Sequence, residues 1–410
     1  MLKGKKILLA VTGSIAAYKS IDLARGLTEA GADLTVVMTE SACRFVPPLP
    51  FEMVSGRPVY VNLFEGHFMH LNLVKEADLL IIAPATANTI NKFACGIADN
   101  LLSTLWLAYE GHTLIAPAMN SKMYENPIVK KSLGKLAKMG VKFSGPVSGK
   151  LACGDEGVGR MAEITDIMEA VKSILSVKDL SGHNILVTAG PTREPIDSVR
   201  FISNRSSGKM GFAVATAAFR RGANVTLISG PTAQKPPKGV SYIPVERAVD
   251  METAVLKNLH KSTSVIMTAA VSDFAPSLIV KSKIPKAKEI TINFKKTPDI
   301  LQKIGRKKGN RLIIGFAAET GKNIKKAKEK LKNKALDLIV LNDITRKGAG
   351  FDVNTNIITI IDKRGEITDY PLMQKEEVAD IILNMMLKIK SLLKNPTISD
   401  YTDKRLDYTD

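Results

Sequence analysis

The chain up to residue 178 alternates between short apolar runs and longer stretches of helical periodicity. Residues 5–11, 33–38 and 114–116 are predicted strands, and the apolar run LLIIA at 79–83 is typical of a parallel strand covered on both faces. The predicted helical segments are residues 15–30, 89–94, 128–139 and 164–176. This alternation predicts a doubly wound α/β sheet, in which ligands bind at the carboxyl ends of the strands.

The same pattern begins again after the polar stretch VKDLSGHN at 177–184. The next predicted elements are a strand at 185–189, a helix at 209–221 and a strand at 225–229. Further strands are predicted at 265–269, 291–294, 312–316, 338–341 and 357–362, and a basic helix at 324–335. We therefore expect two fused, doubly wound α/β domains, at 1–178 and 184–395, with a linker at 179–183 and a polar tail at 396–410.

Composition is that of an ordinary globular protein. The 410 residues are 45% hydrophobic and 24% charged. Three cysteines are too few for a disulfide framework and fit a reducing compartment. The apolar run near the start is short for a signal peptide, and no stretch reaches the ~18 apolar residues that a membrane span needs. We expect a cytoplasmic protein with no membrane partner.

Positive charge is concentrated in the second half of the chain. The net charge is +18, of which residues 1–178 contribute 19 basic minus 16 acidic residues, or +3, and the remainder +15. Such charge fits a solvated lysine-rich surface, a polyphosphate ligand or a nucleic acid. An aromatic content of 5% disfavours base stacking. A phosphate-bearing small ligand is favoured, and no nucleic-acid partner is expected.

A short turn, Thr12-Gly13-Ser14-Ile15, connects the first predicted strand to the first predicted helix. Backbone N–H groups at such a helix start can bind phosphate. The turn has one glycine and lacks the GxGxxG pattern, so a mononucleotide phosphate is favoured over a dinucleotide. A purely structural turn explains the same residues equally well.

Five segments of the first half carry a resemblance to a known family. TGSIAAYK, HLNL, APATANTINKFACGIADNLLS, APAMNSKMY and GKLACGDEGVGRM occur in order. Together they resemble the flavin-dependent cysteine decarboxylases, in particular the phosphopantothenoylcysteine decarboxylases. The resemblance implies a flavodoxin-like fold and an FMN cofactor that oxidises the substrate's thiol before the carboxylate is lost.

The same resemblance implies roles for individual residues. His70 matches the active-site histidine, Asn120 the residue that holds the substrate carboxylate, and Cys153 the cysteine needed for reductive protonation of the product. The glycines around Cys153 indicate a mobile flap. Cys43 and Cys95 are expected to be small buried residues. The residues expected to contact the flavin are Gly13, Ser14, Ile15, Thr39, Ser41, Thr86, Asn88 and Ser103.

The second half contains an SGK sequence that is not a P-loop. Lys209 is followed by Met210, which has no hydroxyl for magnesium, and no glycine stands five residues before Gly208. The alternative that this glycine-containing helix start binds phosphate through its backbone amides remains open.

A second resemblance covers residues 182–377. TAGPTREPID, RFISNRSSGKMG, AAVSDF, KIPK, KKTPDIL, GFAAET and KLKNKALDLIVLND occur in order and resemble the phosphopantothenate–cysteine ligases. In fusions with the decarboxylase placed first, the ligase uses CTP. The resemblance implies that 4'-phosphopantothenate forms an acyl-cytidylate, which the amine of cysteine then attacks. Mg²⁺ is expected to accompany CTP, although its ligands cannot be identified from the sequence.

The ligase resemblance also implies site residues. Lys283 matches the lysine of the first step and Asn204 the residue that turns over the acyl intermediate. Lys330 and Lys334 are four residues apart, hence on one face of the predicted helix, although lysines so spaced are usually just solvated. The other residues expected at the nucleotide or substrate are Arg200, Ala270, Asp273, Lys295, Lys296, Thr297, Pro298 and Phe316.

The two resemblances together imply both reactions in one chain, with 4'-phosphopantetheine as the product. They also imply self-association through trimeric flavin domains and dimeric ligase domains, and hence a dodecamer. One alternative is a flavoprotein decarboxylase of another substrate fused to a nucleotide-binding module. The other is a nucleic-acid binder, which rests on the basic second half alone.

Overall fold

The computed structural model describes residues 2–64, 68–152, 154–286 and 289–394. The chain divides into two compact units, Met1–Ser176 and Val177–Asp410. Each unit is built around its own sheet with helices on both faces. Of the helices within the described ranges, none is both long enough and apolar enough to cross a membrane.

The first unit contains a six-stranded sheet and a separate hairpin. The sheet strands are β1 (Lys6–Val11), β2 (Asp33–Met38), β3 (Val59–Tyr60), β4 (Leu79–Ala85), β5 (His112–Pro117) and β6 (Lys142–Phe143). They pair in parallel in the order β3-β2-β1-β4-β5-β6. The hairpin consists of β7 (Val147–Lys150) and β8 (Glu156–Arg160).

Helices cover both faces of this sheet. After a 3₁₀ turn at Ile15–Tyr18 they are α1 (Lys19–Glu29), α2 (Glu40–Cys43), α3 (Leu49–Ser55), α4 (Met69–Lys75), α5 (Ala87–Cys95), α6 (Leu101–Ala108), α7 (Ser121–Glu125), α8 (Pro127–Lys138) and α9 (Ile164–Leu175). Because side chains alternate along a strand, β1 contributes Leu9 to one core and Leu8 to the other.

The second unit has an eight-stranded sheet. Its strands are β9 (Asn184–Ala189), β12 (Asn224–Ser229), β13 (Ser241–Pro244), β14 (Ser264–Met267), β17 (Leu312–Glu319), β18 (Leu338–Asp343), β19 (Thr355–Asp362) and β20 (Ile367–Gln374). The order is β13-β12-β9-β14-β17-β18-β19-β20, and only the last two strands are antiparallel to their neighbours. Two small antiparallel pairs lie outside it: β10 (Arg193–Pro195) with β11 (Phe201–Ser203), and β15 (Phe274–Pro276) with β16 (Phe294–Lys296).

Five helices complete the second unit. They are α10 (Lys209–Arg220), α11 (Ala248–Leu259), α12 (Ile300–Arg306), α13 (Ile324–Asn333) and α14 (Lys375–Lys394). Leu186 and Val187 of β9 point into separate cores on the two faces of the sheet. The strand-helix alternation confirms the doubly wound prediction for both units. In both sheets the first strand lies beside the second and the fourth, which is the Rossmann order and not the flavodoxin order.

Two of the predicted elements differ from the structure. The helix predicted at 15–30 begins as a 3₁₀ turn, which Ser14 caps, and becomes α-helical only at Lys19. The strand predicted at 291–294 lies instead at Phe294–Lys296, and it pairs with β15 outside the main sheet. Cys95 is exposed and Cys43 only half-buried, so the expectation of buried cysteines is wrong for Cys95.

Candidate functional site

A cleft of about 780 Å³ opens at the carboxyl ends of β1, β2 and β4 in the first unit. Its volume lies within the range of small-molecule sites. Seven of the eight residues predicted to contact a flavin line it: Gly13, Ser14, Ile15, Thr39, Ser41, Thr86 and Asn88. Residues from three separate turns are therefore brought to one place, as parallel strands bring their carboxyl ends to one edge.

Gly13 is required by a close approach between two of these turns. A Cβ atom built on Gly13 would lie 2.5 Å from Cβ of Ser41 and 3.0 Å from the Ser41 carbonyl carbon. Thr12, the first residue of the predicted turn, is buried and joins the turns. Its hydroxyl donates to the carbonyl oxygen of Pro84 at 2.8 Å and accepts from the N–H of Thr86 at 3.1 Å.

The cleft has a hydroxyl-bearing end and an apolar wall. Ser14, Thr39 and Thr86 each cap a helical turn, with Oγ accepting from a backbone N–H at 3.2–3.4 Å. Met38, Phe45, Leu63, Ala118 and Met119 supply apolar surface. Helix-start amides and apolar lining side chains together fit a mononucleotide with a planar ring system, such as FMN.

Ser103 does not line this cleft. It is buried in the first turn of α6, where its hydroxyl accepts from the N–H of Asn100 at 3.0 Å and donates to Asp99 at 3.0 Å. Asp99 and Asn100 line the cleft instead. Asp99 pairs with Lys92 at 2.5 Å, and this hydrogen bond lowers the pKa of the Asp99 carboxyl.

The three residues predicted to act in decarboxylation occupy different positions. His70 is half-buried in α4 and is not among the described residues that line the cleft. Asn120 precedes α7, and its Oδ1 accepts from the N–H of Lys122 at 2.8 Å. Cys153 lies outside the described residues.

Asn120 lines a second cleft of about 610 Å³, which shares Ser14, Ile15, Ala118 and Met119 with the first. The β7–β8 hairpin forms one wall. A Cβ on Gly159 would lie 2.2 Å from the carbonyl oxygen of Met119, and the N–H of Met119 donates to Gly159 at 3.0 Å. This glycine therefore attaches the hairpin to the segment that carries Asn120. Movement of the hairpin as a flap stays a prediction.

A cleft of about 450 Å³ lies at the carboxyl ends of β14 and β17 in the second unit. The residues predicted for the ligase that line it are Asp273, Lys296, Thr297, Pro298, Phe316, Lys330 and Lys334. Nζ of Lys330 donates to the carbonyl oxygen of Phe316 at 2.8 Å, and Lys334 pairs with Asp299 at 2.9 Å. Both lysines face one cleft, although Lys334 stands one residue beyond α13.

The lysines of this cleft are partly removed from water. Burial lowers the pKa of Lys330, and the positive charge of Lys334 lowers it further. Burial alone would raise the pKa of Asp299, but the N–H of Gln302 and the ammonium of Lys334 lower it below its ordinary value. Cations so placed interact strongly with an anionic ligand, because the low local dielectric strengthens each charge pair. Asp299 also lines the cleft; it was not among the predicted site residues, although it stands in the KKTPDIL motif.

The remaining predicted ligase residues lie outside this cleft. Asn204 donates through Nδ2 to the carbonyl oxygens of Ala270 at 3.3 Å and Val271 at 3.0 Å. Lys283 is exposed on the segment between β15 and β16, and Lys295 is exposed on β16. Arg200 donates to the carbonyl oxygen of Ile284, next to Lys283, at 3.4 Å.

Lys209 of the SGK segment forms hydrogen bonds to the loop before β19, in the same unit. Nζ of Lys209 donates to the carbonyl oxygen of Asp352 at 2.5 Å and to Oδ1 of Asn354 at 2.9 Å. Over the part of the chain that the structure describes, no group of three or more His, Cys, Asp or Glu is placed to bind a metal ion.

Two family models match this chain. The model described as Flavoprotein matches residues 1–176, and that described as DNA/pantothenate metabolism flavoprotein C-terminal domain matches 180–389. The coenzyme A biosynthesis bifunctional protein CoaBC of Bacillus subtilis (strain 168) is 45% identical over 392 residues, covering 93% of this chain and 97% of that protein. The protein of the same name from Escherichia coli (strain K12) is 43% identical over 393 residues, with coverage of 93% and 97%. A crystal structure of the C-terminal domain of a CoaBC protein is 44% identical, covers 52% of this chain and 99% of its own, and has a TM-score of 0.45.

Proposed function

Since this chain belongs to the family of CoaBC bifunctional proteins of coenzyme A biosynthesis, we propose that it ligates cysteine to 4'-phosphopantothenate with CTP and then decarboxylates the product with FMN. The end product is 4'-phosphopantetheine. The proposal is supported by the positions of the predicted site residues, because those of each unit line one cleft. Seven residues predicted to contact the flavin line the first cleft, and seven predicted for the ligase line the cleft beside β14.

FMN would be held by the Gly13 turn and by the helix starts at Thr39 and Thr86. When bound, it supplies a reversible two-electron couple, which oxidises the thiol of the substrate and returns both electrons to the enethiol that remains after CO₂ is lost. Asn120 would orient the substrate carboxylate through its amide, which donates a hydrogen bond without a charge that would oppose loss of CO₂. His70 would hold or move a proton through its imidazole ring. Cys153 would deliver the last proton.

In the second unit, the carboxylate of 4'-phosphopantothenate would attack the α-phosphate of CTP and release pyrophosphate. Lys330 and Lys334 lie where they could neutralise triphosphate charge, and Lys283 would assist from the neighbouring loop. Asn204 would act on the acyl-cytidylate, from which the amine of cysteine displaces CMP. We propose Mg²⁺ as a companion of CTP, held chiefly by the phosphates.

We also propose that the protein self-associates, as trimers of the first unit and dimers of the second. Large apolar side chains on the first unit support this proposal. Met53, Phe64 and Phe68 are 78%, 93% and 71% exposed. We expect these side chains to be covered in the oligomer, since a contiguous exposed apolar patch marks an interaction surface.

The test uses the purified full chain. The protein should be yellow, with FMN near one per chain. Incubated with 4'-phosphopantothenate, cysteine and each nucleotide in turn, it should form 4'-phosphopantetheine, followed by mass, most readily with CTP. Pyrophosphate release without a pantetheine product would limit the function to the ligase. A colourless, folded protein that does not bind added FMN would refute the decarboxylase half. Decarboxylation of other cysteine-containing substrates alone would favour the alternative function.

A further inference from the structure

The cleft that contains Asn120 is lined by three cations: Lys19, Lys150 and Arg160. No carboxylate is among its described lining residues. Three further clefts all mix the two signs, with Lys92, Glu40 and Asp99 in the flavin cleft, for example. A concave surface lined by one sign of charge concentrates ligands of the opposite sign. The cleft beside Asn120 is therefore suited to an anion.

The acidic residues near these cations stand outside the cleft. Glu163 is 3.7 Å from Lys19 and 3.0 Å from Arg160, and its side chain is 55% exposed. Lys19 and Arg160 are less exposed, at 22% and 38%. Lys150 is opposite Glu156 in the hairpin register. The single exposed carboxylate of Glu163 is thus shared between Lys19 and Arg160, which are both less exposed than it is. The two cations are therefore only partly neutralised, and positive charge remains for a ligand.

The positions of Arg160 and Asn120 are fixed relative to each other by contacts of the neighbouring residues. A Cβ built on Gly149 would lie 2.7 Å from Nη1 of Arg160, so the guanidinium lies across that glycine. Arg160 directly follows Gly159, whose carbonyl accepts from the N–H of Met119, and Met119 directly precedes Asn120. An anion bound by Arg160 and a carboxylate bound by Asn120 would therefore be held at a set separation.

We propose that Lys19, Lys150 and Arg160 form the subsite for the phosphate monoester of the decarboxylase substrate. The inference rests on the proposed function, in which the substrate has a phosphate at one end and a cysteine carboxylate at the other. Asn120 takes the carboxylate and the three cations take the phosphate. An arginine fork donates two parallel hydrogen bonds to phosphate oxygens, and the lysines add point charge. The subsite selects phosphorylated over unphosphorylated substrates.

The test measures kcat and KM of the FMN-loaded full chain for 4'-phosphopantothenoylcysteine and for its dephosphorylated form. Arg160→Gln and Lys19→Gln should each lower kcat/KM for the phosphorylated substrate about 10- to 100-fold, the scale of a hydrogen bond to a charged group. The loss should appear mainly in KM, and kcat/KM for the dephosphorylated substrate should stay within about twofold of wild type. Arg160→Lys should recover part of the loss.

Two further variants sharpen the result. Arg25→Gln is the matched control, because Arg25 is on α1 like Lys19, is 58% exposed and pairs with Asp22 outside the cleft. It should change neither substrate's kinetics. Glu163→Gln removes the shared carboxylate, so it should lower KM for the phosphorylated substrate. Inorganic phosphate should compete with that substrate in the wild type and compete less well in Lys19→Gln.

Equal losses for the two substrates would overturn the inference while leaving the proposed function intact. A wild-type enzyme that does not distinguish the two substrates would do the same. A wild-type protein that binds FMN and decarboxylates neither substrate would refute the proposed decarboxylase function, and the inference with it. Flavin content and thermal midpoint, matched between variants and wild type, show that the fold is retained.

Discussion

The carboxylate of Asp197 accepts a hydrogen bond from the backbone N–H of Ile284 at 3.1 Å, across 87 positions of sequence. Asp197 also accepts from the N–H groups of Val199 and Arg200 at 2.8 and 2.7 Å. Burial alone would raise its pKa, but these three N–H groups and the charge of Arg200 lower the pKa below its ordinary value. Asp197 therefore ties the loop that carries Lys283 to the turn that carries Arg200.

Replacing Asp197 with Ala should release this loop. We expect faster trypsin cleavage at Lys281, Lys283 and Lys286, and CTP-dependent pyrophosphate release lower by about 10- to 100-fold, the scale for a misplaced catalytic group. Decarboxylation in the first unit should be unchanged.

Asp250→Ala is the control, because Asp250 pairs with Arg247 at a helix start away from the loop. Unchanged trypsin cleavage of residues 277–293 in Asp197→Ala would show that Asp197 does not hold this loop in place.

The carboxylate of Asp197 should also make stability depend on pH. Since its pKa is lowered, Asp197 contributes stability above the ordinary aspartate pKa of ~3.9, and that stability is lost as the pH falls through its lower value in the folded protein.

Gly159→Ala should separate the β7–β8 hairpin from the Asn120 segment. The added Cβ would lie 2.2 Å from a backbone carbonyl, which cannot move aside as a flexible side chain could. We expect decarboxylation to be lost and ligation retained. Gly134→Ala, in α8, meets no atom within 4 Å and should stabilise the first unit by about 0.4–1 kcal/mol. Decarboxylation at the wild-type rate in Gly159→Ala would show that the hairpin position is unimportant.

Lys330→Met should weaken the ligase half-reaction. The change removes a desolvated cation while keeping a side chain of similar length, so we expect CTP-dependent pyrophosphate release to fall about 10²- to 10³-fold. Lys328→Met is the matched control, because Lys328 is exposed on the same helix and does not line the cleft. Equal rates for the two variants, measured by pyrophosphate release, would place the triphosphate elsewhere.

Lys375 should make the stability of the second unit depend on pH. Its ammonium donates to the carbonyl oxygens of Gly350, Phe351 and Val353 at 3.3, 3.2 and 2.6 Å. Burial, followed by the charge of Lys209, lowers the pKa of Lys375 to about 8. A lysine ordinarily has a pKa of ~10.4, so the stabilising contribution is complete above that pH and is lost as the pH falls through about 8.

The free energy of unfolding of the wild type, measured with denaturant, should therefore rise between about pH 8 and about pH 10. Lys375→Met should flatten that rise, and Lys363→Met, which changes a more exposed lysine, should leave it. If the free energy of unfolding of the wild type fell over the same interval, the three carbonyl oxygens would stabilise the Lys375 ammonium by more than burial destabilises it.

Local pattern was sufficient for the two doubly wound sheets, and the family resemblance supplied most of the residues expected in the flavin cleft. Apolar runs such as 79–83 correspond to buried parallel strands, because a strand covered on both faces needs no polar side. Once the strands were identified, Gly13, Thr39 and Thr86 had to meet at one edge, since each follows a parallel strand. The motifs of the second half gave most residues of the cleft beside β14 for a similar reason.

Long-range contacts decided the rest. Ser103, which the resemblance implies at the flavin, takes part in the capping box of α6, and the side chain of Lys209 in the SGK segment donates to a distant loop. Asp299 and Asp197 act through partners 35 and 87 positions away. A side chain's role depends on which donors and charges the folded chain places beside it. That placement follows from how whole elements pack, and spacing along the chain does not record it.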